Sequence, residues 1–309
     1  MASGGKDDRA QGGAAPARQP GAQAAGKFLD GWLHWTGLSP PPPGDSPRQS
    51  RGDHVGMAFA AIVRVTVADA VRQPATWLAT GLGVALVLLT GLFGMFNFEV
   101  DDRIRMTATA GIAAAMVDGL VLAAVLASLA VHAELADRTA LTLFAKPVSR
   151  GAYLAGKALG VFLAAAASTL VVVGAHLAVM AVGRVTGFEF ERHLWPDDPL
   201  IIPWSAILGA HALGLMHTAV IACLATALAT RIALSANLVL CAAAFIAGHL
   251  IPGWGPVPAL AAFNADDAIQ GTGLALWPWY LPAAGLYSAL FGAGCLLTGL
   301  AAFQRQDIR

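Results

Sequence analysis

Two groups of residues in this chain could do chemistry. Asp118 is an acidic residue inside a long apolar run. The stretch HAELADRTALTLFAKPVSRGAYLAGK, residues 132–157, collects Glu134, Asp137, Arg138, Lys146, Arg150 and Lys157 between two apolar runs. A carboxylate within a membrane is costly and is by default a functional hypothesis. For Asp118 the residues leave two roles open, lining a path or capping a helix interaction. Other constellations lead to less. His132, His176, His211, His217 and His249 lie in or beside apolar runs, but His211 and His217 are six apart and fall on different helix faces. Hydrogen bonding between helices fits them better than metal binding, so no metal site is expected. Cys223, Cys241 and Cys295 form no CxxC pair and read as small core residues. The pairs Asp101–Asp102, Asp197–Asp198 and Asp266–Asp267 lack the second spaced Asp of a metal–diphosphate site, and no HExxH or Ser-His-Asp order occurs. No GxxxxGK[ST] loop is present either, so the chain has no Walker-type cradle for ATP.

The elements that position these residues are apolar helices. Of the 309 residues, 57% are hydrophobic and only 12% charged, and the mean hydropathy is +0.63. Soluble domains carry roughly 25% charged residues. An all-α, multi-pass membrane protein is therefore expected. Formal net charge is zero, which gives no sign of a nucleic-acid partner. A span needs about 20 mostly apolar residues, and six candidates meet this: 77–96, 109–131, 158–182, 204–230, 232–251 and 280–303. The fourth and fifth are separated by little more than Arg231.

Lys and Arg set the orientation. One side collects Arg64, Arg72, Arg138, Lys146, Arg150, Lys157, Arg231, Arg305 and Arg309; the other has Arg103, Arg105, Arg184 and Arg192. Both termini and the 132–157 stretch are thus expected in the cytoplasm. Residues 1–56 are Gly-, Pro- and Ala-rich, with PPPP at 40–43, and read as a disordered extension. Within them KFLDGWLHWTGL, 27–38, is either an interfacial contact or a sticky patch in a tail. The N-terminus lacks the charged-then-apolar pattern of a cleaved signal peptide, and Met57 is a candidate start of the folded part, 57–309. Residues 57–76 are too polar to span. Phe59, Ile62, Val63 and Val67 recur at helical spacing, which predicts an amphipathic helix on the inner membrane face, ended by Pro74.

Residues 134–150 form an elbow. Glu134 and Arg138 are four apart and can pair on one helix face. Pro147 lacks an N–H and pushes Lys146 out of helical geometry, stopping the helix. Ser149 is placed to cap the next one. The resulting apolar patch framed by charge fits a docking surface, or equally an ordinary positive-inside loop.

The order and spacing of Glu134, RT at 138–139, AKPVSR at 145–150, YL at 153–154 and GKALG at 156–160 resemble the cytoplasmic elbow of ABC transporter permeases of the type-2 exporter family. The interfacial helix, six spans, cytoplasmic termini and closing FQRQDIR extend the resemblance over 57–309. The KPVSR form is most similar to permeases grouped with the multi-copper (nitrous oxide reductase) enzyme maturation transporter, a broad group whose name does not give a substrate. The resemblance implies the permease subunit of an ATP-driven exporter in the inner (cytoplasmic) membrane of a prokaryote, working as a homodimer or pseudo-dimer. A separate ABC ATPase subunit would bind the ATP, so no cofactor and no enzyme activity are expected in this chain. Glu134, Arg138, Thr139, Lys146, Pro147, Arg150 and Lys157 would form the coupling contact, and Asp118 would lie on the path. A structural subunit of a larger membrane complex and a membrane-embedded enzyme are the alternatives.

Overall fold

The computed structural model describes residues 47–92, 99–137, 148–186, 188, 202–251, 258–265, 269 and 279–305. The chain divides into two units, 1–57 and 58–309. Residues 1–46, with the KFLDGWLHWTGL stretch, lie outside the described residues, as does most of the elbow, including Arg138, Thr139, Lys146 and Pro147.

Among the described residues the structure is helical with no strand. Helix α1 is Pro47–Arg72, α2 Pro74–Thr90, α3 Val100–Ala127, α4 Arg150–Thr186, α5 Trp204–Ala229, α6 Leu234–Leu250 and α7 Tyr280–Gln304. Beyond Ala127, α3 continues through a π-helical segment, Ser128–Ala133, and a last turn, Glu134–Ala136. Pro74 sits at the start of α2, where its missing N–H costs nothing. Its ring excludes the α conformation at Gln73, which is extended (φ −71°, ψ 128°). The chain therefore turns by 65° between Gly56–Arg72 and α2.

Among the described residues, four helical runs are long and apolar enough to cross a membrane: Val100–Ala136, Arg150–Thr186, Trp204–Ala229 and Tyr280–Gln304. A fifth is added if the bent pair α1–α2 counts as one. The chain is thus an all-helical protein suited to a membrane interior. The fifth expected span, 232–251, corresponds to α6, whose 17 residues reach about 25 Å, somewhat under the ~30 Å hydrocarbon core.

Contacts between helices fix their directions. Thr80 meets Ser168 and Gly83 meets Val172, so α2 and α4 run parallel. Asp118 meets Thr169 and Gly111 meets His176, so α3 is antiparallel to α4. Met116 with Gly214 and Gly119 with Thr218 set α5 parallel to α3. Asn237 bonds Ala225 while Phe245 and His249 flank His217, which makes α6 antiparallel to α5. Gly285 with Met216 and Gly292 with Cys223 set α7 parallel to α5. Six helices thus alternate in direction, α2 to α7.

Small residues permit the close approach. A Cβ at Gly299 would lie 2.8 Å from the Cα of Ala227, so α5 and α7 touch at backbone level. Gly156 and Gly160 form the floor on which α1 rests: added Cβ atoms would lie 2.9 Å from Ile62 and 2.6 Å from Thr66. The small-xxx-small pattern in α4 therefore serves α1, the amphipathic helix, whose Ile62, Thr66 and Ala70 are buried at i, i+4 and i+8. The outside is oil: Trp77, Leu78, Leu82, Leu86 and Leu89 on α2, Val239 and Ile246 on α6, and Leu286, Leu290 and Leu297 on α7 are exposed. Polar residues, including Asp118, His176, Thr218 and Asn237, are buried. In water such an arrangement would leave large apolar patches bare; in a bilayer it is the expected one.

Candidate functional site

The chain ends of α3 and α4 that flank the elbow are tied by a carboxylate. Glu134, on the turn after the π-helical segment, accepts hydrogen bonds from Lys157 Nζ at 2.5 Å and from the Tyr153 hydroxyl at 2.9 Å. The Lys157 side chain is only 5% exposed and that of Glu134 30%. A buried ammonium needs its partner, because ions leave water at a cost of several kcal/mol each. The Lys157 Nζ also lies 5.7 Å from the centre of the Tyr153 ring, within cation–π range. Sequence spacing points to Arg138 as a helical partner for Glu134. The described residues show the carboxylate tied to α4, and Arg138 lies outside the described residues.

The start of α4 follows the expected chemistry. Ser149 Oγ accepts from the Ala152 N–H at 3.1 Å, the third residue beyond the cap. Arg150, expected at the coupling surface, is half-buried and reaches another element. Its Nη1 donates to the Phe303 carbonyl at 2.9 Å, and its guanidinium lies 5.2 Å from the Phe303 ring. Arg231, between α5 and α6, donates to the Ala302 carbonyl. Two cations therefore close the C-terminal carbonyls of α7, where the helix dipole is negative. Three of the seven expected coupling residues, Glu134, Arg150 and Lys157, thus make internal ties. Thr139 and the other three of the elbow fall outside the described residues.

The π-helical segment shapes this end of the bundle. Ser128 Oγ bonds back to Ala124 O at 2.9 Å, and Asn237 Nδ2 from α6 donates to Ser128 Oγ at 2.8 Å and to Ala225 O at 3.0 Å. Side-chain competition of this kind loosens the ordinary i→i−4 ladder, and π-turns are frequent at functional sites. Beside it a cleft of about 210 Å³ opens between α1, the end of the α3 run and α4, lined by residues that include Thr66, Asp69, Arg72, Leu126, Glu134 and Lys157.

Asp118 lies in a second polar cluster, deeper in the bundle. The sequence suggests a position a turn or two from the outer end, partly solvated; within the helical run Val100–Ala136 its side chain is packed among neighbouring helices and is 5% exposed. Its Oδ2 accepts from Ser168 at 3.1 Å and Thr169 at 3.2 Å, and Thr80 of α2 joins Ser168 at 2.5 Å. Its Oδ1 is buried with no partner among the described residues. Thr218 of α5 packs at Gly119 beside it. Four helices therefore place side chains around one carboxylate. Ser168 and Thr169 are legible only as two hydroxyls in an apolar span; their role emerges from the antiparallel register of α3 and α4.

The histidines divide. His176 of α4 and His211 of α5 hydrogen-bond between ring nitrogens at 2.8 Å, an interhelical link of the kind expected. His217 packs against the Phe245, His249 and Phe263 rings, with both nitrogens unpartnered among the described residues. Among the described residues no group of three or more His, Cys, Asp or Glu is arranged to hold a metal. No protein-family model matches the chain, and no curated protein matches it.

Proposed function

We propose that this chain is the transmembrane permease subunit of an ATP-driven transporter, docking a separate ATPase through the 134–150 elbow and working as a pair of permeases. The observation that carries the reading is the Glu134–Lys157–Tyr153 tie. It joins the two helices that flank the elbow, immediately beside it. A push on 138–149 would reach both helices as one lever, and Arg150 would pass the movement to the end of α7. Energy enters only if the partner binds the elbow differently in its two nucleotide states. Arg138 and Lys146 are the elbow cations assigned to contact; Glu134, Lys157 and Arg150 are assigned to transmission.

The Asp118 cluster supports a polar path through the bundle, since a carboxylate with an unpartnered oxygen is retained there despite its cost. The exposed face of α7, whose most apolar window is only 22% buried, suits contact with a second permease. The gathering of Arg72, Lys157, Arg150 and Arg231 at the elbow end supports that end as cytoplasmic, in the inner membrane of a prokaryote.

The test is a mild-detergent pull-down of the tagged protein from its own host's membranes, with mass spectrometry of stoichiometric partners. The expected result is an ATPase with a Walker loop at about one per permease. An intact, monodisperse preparation carrying no ATPase would overturn the reading and leave the structural-subunit alternative.

A further inference from the structure

The corner where α1 turns into α2 combines a cleft with unmatched charges. Asp69 and Arg72 are both exposed, line the cleft and have no ion-pair partner among the described residues. Glu134 and Lys157 line it as a pair already joined to each other. Leu126, Leu129 and Ala130 give it an apolar wall. Its volume is about 210 Å³.

Its level in the bilayer follows from the bend. With α2 along the membrane normal, the 65° turn leaves α1 25° from the membrane plane. Trp77 is exposed at the start of α2 and its Nε1 donates to Val71 O across the bend at 2.8 Å. Indole rings with one wet end settle at the head-group level. The cleft therefore opens where lipid head groups lie.

We propose that this cleft binds a zwitterionic amine-phosphate head group, with the phosphate on Arg72 and the ammonium on Asp69. A purely anionic group would meet Asp69 and Glu134, and a purely cationic one would meet Arg72. A guanidinium matches phosphate oxygens with paired donors. A primary ammonium offers Asp69 three N–H donors, which a trimethylated amine lacks. The leucine wall then receives the first methylenes of the attached chains. The proposal requires a bilayer around the bundle but not the transport reading.

The test uses the full-length protein in mild detergent with an equimolar mixture of phosphatidylethanolamine, phosphatidylcholine and phosphatidylglycerol, scored by native mass spectrometry of retained lipid. Wild type is expected to retain phosphatidylethanolamine at least fivefold over each of the others. Asp69→Asn and Arg72→Gln, both at exposed positions, should bring that ratio close to one with unchanged melting temperature in lipid-free detergent. Soluble phosphoethanolamine at millimolar concentration separates the sources. Displacement of the lipid supports the head-group chemistry and makes a soluble zwitterion a sufficient ligand; failure to displace makes the attached chains necessary. Equal retention of the three lipids, a phosphatidylglycerol preference, or a phosphatidylethanolamine preference that survives both substitutions overturns the proposal.

Discussion

The tie between Glu134 and Lys157 gives the sharpest stability prediction. Glu134→Gln keeps an acceptor for the Tyr153 hydroxyl but leaves the ammonium of Lys157, 5% exposed, without its counter-charge. Removing one member of a buried pair costs about 3–5 kcal/mol. The 30% exposure of Glu134 lets water soften the loss, which puts the expected cost near the lower end, about 3 kcal/mol. For a chain this large, about 2 °C of melting temperature accompanies each kcal/mol, so a fall of roughly 6 °C is expected. Lys157→Met should fall by a similar amount, because it takes from the carboxylate the ammonium that now answers it. The double variant should recover to within about 2 °C of wild type, since a buried pair replaced as a whole is close to neutral. Fluorescence-detected size exclusion after a heating series measures all three against wild type, and the double-mutant cycle isolates the pair term. If both single variants melt within 1 °C of wild type, or if the double loss equals the sum of the single losses, the two side chains are not coupled and the lever between α3 and α4 fails with them.

Other perturbations test separate parts. Gly299→Ala should cost about 1–3 kcal/mol by overpacking, because its Cβ would meet Ala227 at Cα, where nothing can swing aside. Gly294→Ala in the same helix meets nothing within 4 Å and should be neutral or gain up to about 1 kcal/mol; the same heating series separates them. Asp118→Leu should change transport at normal protein level, whereas Asp118→Asn should retain the Ser168 and Thr169 hydrogen bonds and the wild-type melting temperature; unchanged transport in both at normal abundance would remove Asp118 from the path. Arg138→Glu with Lys146→Glu should release the ATPase or separate its hydrolysis from transport, read by co-purification and ATPase rate. Wild-type coupling in that pair would refute docking at the elbow. Arg150 is left out of that experiment because its loss would unfasten α7 whatever the partner does.

The fold class was legible because burial in lipid leaves a composition that water would not allow, and the central parts of the helices follow from runs of about 20 apolar residues. Local chemistry was legible too. Ser149 caps α4, and Pro74 breaks the chain before α2, both from interactions within a few residues. What sequence spacing misses is the choice among partners. Glu134 takes Lys157 and Tyr153, 23 and 19 residues on, which only the fold brings near. Arg150 reads as an elbow cation, and its hydrogen bond to a helix end more than 150 residues on has no sign in the sequence. Helix α3 also begins nine residues ahead of the apolar run 109–131. Asp101, Asp102, Arg103 and Arg105 interrupt the apolar run, but acidic residues suit a helix N-terminus, and Arg103 is buried with Nη1 on the Phe188 carbonyl. The π-helical segment meets Asn237 from α6, a partner that only the fold brings near.

The polar contacts between α3 and α4 also bear on how the chain finds its alignment during insertion. Helices built from Ala, Gly and Val present nearly the same surface after sliding along one another. A slip of α4 by about two turns, or seven residues, would leave that surface much as before. It would, however, set Asp118 opposite Phe162 and His176 opposite Ile104, away from the hydroxyls and the ring that now answer them. The contacts thus work like the unevenly cut teeth of a key: each is weak alone, and their spacing admits a single alignment. In a bilayer, where water is absent and cannot rescue an unmatched group, that spacing supplies the selectivity that the apolar surface lacks.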